Sequence, residues 1–118
     1  MNMKYEFASL LFFLTSEMQA IEYAVQFEND YVHVAKAKIM PQEEIGLHRD
    51  ANPQVVIALQ GGIITRLEAD GTKTDVTFPT GKAVFREADP SGELHKSINK
   101  SSNPVELVII QLKNDEKD

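Results

Sequence analysis

Two short runs hold the side chains best suited to chemistry. One is His48-x-Asp50-x3-Gln54-x6-Gly61, and the other is Pro90-x-Gly92-x2-His95-x3-Asn99. Imidazoles and a carboxylate are donors for divalent metal ions, and an amide oxygen is a weaker one. In a β-strand, residues i and i+2 face the same way. His48 and Asp50 would then project together, with Leu47 and Arg49 on the other side. By the same rule His95, Ser97 and Asn99 share one face, and Gln54, Val56 and Ala58 share another. If these strands close on one another, their polar faces converge in an interior. Unpaired polar groups there cost free energy, and an ion coordinating several of them removes that cost.

The segments around these runs read as strands. Residues 31–35 are rich in β-branched and aromatic side chains, and 54–59 form a short apolar run ended by Gly61-Gly62. Residues 63–68 and 72–78 flank Asp70-Gly71, a pair that accepts positive φ and signals a two-residue hairpin. With 45–50, 82–86, 94–99 and 105–112, the count is about eight short strands, as in an all-β sandwich or barrel. The loop 87–93 is polar and contains Pro90 and Gly92, both turn formers. The charged residues 113–118 read as a tail.

The 118 residues suffice for one domain with a real core. The net charge is −6 and the Lys and Arg are scattered, so no basic patch for nucleic acid is present. There is no cysteine, which excludes disulfides, thiolate metal sites and Cys nucleophiles. Residues 1–20 differ from the rest: Lys4, an apolar run from Ala8 to Leu14, then a polar stretch ending at Ala20. That order fits a secretory signal, which would make the protein periplasmic or secreted; an amphipathic N-terminal helix on a cytoplasmic protein is the alternative. The apolar run is too short for a membrane span of about 20 residues.

The two runs together resemble the paired motifs of the cupin superfamily, small jelly-roll β-barrels of two antiparallel sheets. In the first motif His48 falls on the first metal-binding His, Asp50 on the second His, Gln54 on the Glu and Gly61 on the closing Gly. The second motif is met at Pro90, Gly92, His95 and Asn99, with Gly81 a more distant leading glycine. The leading glycine of the first motif is missing, since Pro41 is followed by Gln42. The resemblance spans residues 21–112. It implies a metal held by His48, Asp50, His95 and Gln54, with Asn99, Val56 and Ser97 in the pocket or behind the ligands.

The departures bear on function. Two His and one carboxylate suit Fe(II) or Mn(II), with Zn or Ni also accommodated. The carboxylate lost at Gln54 is regained at Asp50, although Asp is shorter than His and an amide is the poorer ligand. The implied function is action on, or binding of, a small organic molecule, dioxygenase-like with Fe(II) and Lewis-acid chemistry with a redox-silent ion. The alternative is a decayed site with no metal, a polar cluster around water in a non-catalytic ligand-binding or sensing barrel. His33 reads as a strand or surface residue, and Arg66 or Arg86 as surface residues able to anchor a carboxylate. Small cupins often pair into homodimers, and residues 21–27 are a candidate exchanged strand.

Overall fold

The computed structural model describes residues 22–113. The suggested signal or N-terminal helix at 1–20 and the tail from 114 lie outside them. None of the described residues is helical, and no helix among them is long and apolar enough to cross a membrane. Nine strands are formed: β1 Glu22–Glu28, β2 Val32–Ile39, β3 Glu44–His48, β4 Gln54–Gln60, β5 Gly62–Glu68, β6 Lys73–Phe78, β7 Ala83–Arg86, β8 His95–Asn99 and β9 Val105–Leu112. They make a five-stranded sheet, β1-β2-β9-β4-β7, and a four-stranded sheet, β3-β8-β5-β6, with every ladder antiparallel.

Alternation explains the layering. In β4, Gln54, Val56 and Ala58 are buried while Val55 and Ile57 are partly exposed. In β2, Ala35, Ala37 and Ile39 turn inward at the same period. Ile39, Val56, Ala58, Ile64, Phe78, Val105 and Leu107 form one apolar core between the sheets. Burying each large side chain stabilises the barrel by about 1.5–3 kcal/mol.

Turn chemistry closes the barrel. The β5–β6 connection has three central residues, Ala69-Asp70-Gly71, rather than the expected two. Gly71 N donates to Glu68 O at 3.0 Å, Glu68 N donates to Thr72 O at 2.8 Å, and Gly71 alone in this turn has positive φ, at 93°. Asp70 instead accepts the Thr72 amide at 2.9 Å, so its side chain shapes the turn without a strained backbone. At the β2–β3 turn, Gln42 has φ 69°. This is the place where the sequence pattern lacks a glycine, and the chain adopts the left-handed conformation there regardless.

Gly61 is required by space. A Cβ there would collide with the Phe78 carbonyl oxygen and sit 2.7 Å from Thr80 N, both backbone atoms. Asn99, fully buried in β8, holds two loops: its Nδ2 donates to Ile39 O at 2.9 Å and Asn103 O at 2.8 Å, and its Oδ1 accepts the Ser101 amide at 2.9 Å. β1 pairs with β2 of its own chain and forms the sheet edge, with all seven residues exposed.

Candidate metal centre and cavity

The polar ends of the two sheets meet at one end of the barrel. In the four-stranded sheet His48 of β3 lies opposite His95 of β8, and His95 lies opposite Glu68 of β5. A bulge between Ile45 and His48 sets that pairing. The imidazole rings come within 4.3 Å, centroid to centroid, tilted by 57°. β3 ends at His48, so Asp50 stands in the following loop and not on a strand. Its carboxylate still reaches both rings: Oδ1 lies 3.8 Å from His48 Nε2 and Oδ2 lies 3.6 Å from His95 Nε2. One donor atom from each of the three lies within 4.8 Å of the others.

Hydrogen bonding fixes which ring nitrogens can bind an ion. His48 Nδ1 is 2.7 Å from Gly46 O. A carbonyl only accepts, so Nδ1 carries the proton and Nε2 keeps its lone pair towards Asp50. His95 Nδ1 faces the Asp89 carboxylate at 3.3 Å, but out of line for a hydrogen bond, and it is a buried polar atom without a partner. With its proton on Nδ1, His95 also turns a bare Nε2 to the cluster. Burial lowers the His95 pKa, reinforced by the Arg66 and His48 charges and opposed by Asp50 and Asp89. The ring is therefore held neutral, the state in which imidazole ligates. Octahedral neighbours around an ion with bonds near 2.1 Å are roughly 3 Å apart. The donors stand up to 4.8 Å apart, so an ion would draw them together, and Asp50, loop-borne and one-third exposed, is placed to move. The three residues fit a divalent metal.

Asp89 is the residue that the sequence pattern hid. It sits just before Pro90, in a loop that reads only as a turn. Its side chain is 6% exposed. Oδ2 accepts the Asp50 amide at 2.8 Å, Oδ1 accepts Arg66 Nη2 at 2.8 Å, and the Asp89 amide donates to Asp50 O at 2.8 Å. Burial alone would raise the Asp89 carboxyl; the Asp50 amide and the Arg66 guanidinium together hold it below the usual carboxylate range. Arg49 adds two donations to the same loop, to Pro90 O at 2.9 Å and Asp89 O at 3.0 Å. One buried carboxylate thus ties the Asp50 backbone to Arg66 and lies against the His95 ring. Arg66 is no surface residue: it faces inward, bound to both Glu68 and Asp89.

Beside the cluster lies a cavity of about 270 Å³. Asp50, Gln54, His95, Ser97 and Val56 line it, while Asn99 stands deeper, bonded to loops. Gln54 is buried on the facing sheet. His33 lies in β2, with Nδ1 3.4 Å from Glu28 and Nε2 3.3 Å from the Tyr23 hydroxyl, away from the His48–Asp50–His95 cluster.

Two facing antiparallel sheets with this strand order give the chain a cupin fold. A cupin domain from Bordetella pertussis Tohama I superposes with TM-score 0.71 at 24% identity, covering 85% of this chain and 100% of that one. A polyketide cyclase from Streptomyces resistomycificus matches with TM-score 0.55 at 14% identity, over 81% and 71% of the two chains. A DMSP lyase from Ruegeria pomeroyi matches with TM-score 0.59 at 15% identity, over 89% and 53%. No family model and no curated protein matches the sequence.

Proposed function

We infer that this barrel holds a divalent metal at His48, Asp50 and His95, and binds or transforms a small organic molecule in the adjoining cavity. The observation that carries the reading is the convergence of three donors within 4.8 Å, with both imidazoles turning Nε2 towards Asp50. Mixed nitrogen and oxygen donors suit Fe(II) or Mn(II), with Zn and Ni as other occupants. When bound, Fe(II) would supply oxygen chemistry, and a redox-silent ion would polarise a substrate oxygen. The chain itself supplies the rest. Gly46 O orients the His48 ring, Asp89 holds the Asp50 backbone, Gln54 and Ser97 offer hydrogen bonds, and Ile39, Val56, Phe78 and Leu107 provide an apolar floor. That two neighbours of this fold are a cyclase and a lyase supports small-molecule chemistry as one use of such a barrel.

One observation favours a second reading. Asp50 stands between the two imidazoles, 3.8 and 3.6 Å from their Nε2 atoms, so a proton moved to either Nε2 lets the cluster persist without an ion as part of a ligand-binding barrel. Elemental analysis of protein purified without chelators separates the two. The metal reading expects about one ion per chain, lost in His95→Ala; absence of stoichiometric metal after Fe(II) and Mn(II) soaking sinks it. Export through residues 1–20, and homodimers built on the β1 edge, are part of the same proposal. N-terminal sequencing of the mature protein and sedimentation test them.

A further inference from the structure

We propose that the cavity takes a small organic carboxylate, its anionic head on Arg86 and its hydrocarbon body on the apolar floor. This names the ligand class of the cavity inferred above and rests on that reading. Two arginines line the cavity, and the structure separates them. Arg66 is committed, with its guanidinium on Glu68 and Asp89. Arg86 makes no ion pair among the described residues.

Strand parity sets its direction. In β7, Ala83 and Phe85 are exposed, while Val84 and Arg86 are partly buried. Val84 lies opposite Val56 and packs on the core, and Arg86 lies opposite Gln54. Residues directly opposite in a ladder share a face, so Arg86 belongs to the inner face with Gln54. On the other side of Gln54 stands Gln111 of β9, also on the cavity wall. The row Gln111–Gln54–Arg86 therefore offers two amides and a planar guanidinium on the five-stranded sheet, facing the sheet that bears His48 and His95.

An inward guanidinium without a counter-ion fits a carboxylate, which accepts two parallel hydrogen bonds from it. Glu87, the next residue, also borders the cavity, but it is exposed and unpaired with Arg86. Asp50, His95 and Ser97 form the wall at the cluster, across the cavity on the other sheet's side, and most of the remainder is apolar, Ile39, Val56, Phe78 and Leu107 among it. At about 270 Å³ the space is just under the common range for ligand pockets, so the body must be small.

The test compares hexanoate and benzoate with their uncharged amides, hexanamide and benzamide, by calorimetry on the full chain. Each titration is run on chelator-treated and on Mn(II)-loaded protein. Each carboxylate should bind wild type at least about tenfold more tightly than its amide. Arg86→Gln should erase the preference, and Arg86→Lys, which keeps charge without the fork, should retain part of it. The proposal is overturned if wild type binds amide and acid alike, if it binds none of the four, or if folded Arg86→Gln keeps the full preference. The wild-type comparison and Arg86→Lys decide the matter should Arg86→Gln fail to fold. Mn(II) uptake in the same samples reports on the metal separately. Carboxylate preference without uptake sinks the metal site alone, and uptake without preference sinks this proposal alone.

Discussion

Replacing Asp89 by Asn tests the positioning argument most directly. The change is nearly isosteric, so no cavity opens and packing is kept. Hydrogen bonding is not kept. Oδ2 now accepts the Asp50 amide and faces His95 Nδ1, while Oδ1 accepts Arg66 Nη2. An amide has one accepting end. Whichever way it turns, its NH2 meets a donor, either the guanidinium or the Asp50 and His95 N–H groups. A broken buried pair costs about 3–5 kcal/mol, but Arg66 keeps Glu68. The expected loss in urea unfolding is therefore about 2–4 kcal/mol. Metal affinity should fall about 10–100-fold, the usual cost of removing a group that orients a ligand. The pH dependence follows from the sign of the shift. The folded carboxyl titrates below its ordinary value of 3.8, so its contribution is complete above that value and is lost as pH falls through the folded value. The stability gap between wild type and Asp89→Asn should be flat near neutrality and close in acid. Wild-type stability together with wild-type Mn(II) affinity in Asp89→Asn would refute the reasoning.

Other substitutions probe the frame around the site. Gln42→Gly relieves a left-handed backbone worth about 1–2 kcal/mol and gives back about 0.5–1 in chain entropy, so unfolding should show a net gain of about 0.5 kcal/mol; a less stable variant would contradict the strain. Gly61→Ala drives a methyl into the Phe78 carbonyl and should cost about 3 kcal/mol or more, measured by thermal melting. Asn99→Ala strips the buried Ile39 and Asn103 carbonyls of a donor and should cost about 2–4 kcal/mol in denaturant titration, with no gain in exposed apolar surface to mask it.

Local period made the strands readable. Val56 and Ala58 alternate with Val55 and Ile57 as a half-buried strand must, and the β-branched run within 105–112 marks β9. Boundaries shifted where packing overrode pattern: β2 runs on to Ile39, beyond residue 35, because Ala37 and Ile39 fill the core. The cluster was readable in part: His48 and Asp50 do meet, but Asp50 has left the strand and reaches the ring from the loop. What spacing could not show is anything set by ladder order. Arg66 and Asp89 are 23 residues apart and meet only because β5 lies beside β8. Arg86 and Arg66 look alike in sequence; only the carboxylates brought to one of them by tertiary pairing tell them apart. Likewise the Asp-Gly pair marks a turn but not its length, which depends on whether Asp70 spends its side chain on Thr72.

The bulge between Ile45 and His48 ties the chemistry to the act of folding. Both imidazoles come from one ladder, brought opposite each other from positions far apart in the chain. A slip of one residue in β3 would turn His48 outward and leave His95 facing Leu47 or Arg49. A chain in that wrong register would offer an ion one imidazole instead of two. In metal-rich surroundings the ion would therefore bind correctly paired chains and pass over slipped ones, drawing the population towards the native register by mass action. The site would then serve as a gauge of its own assembly, reading an error of one residue as a lost ligand.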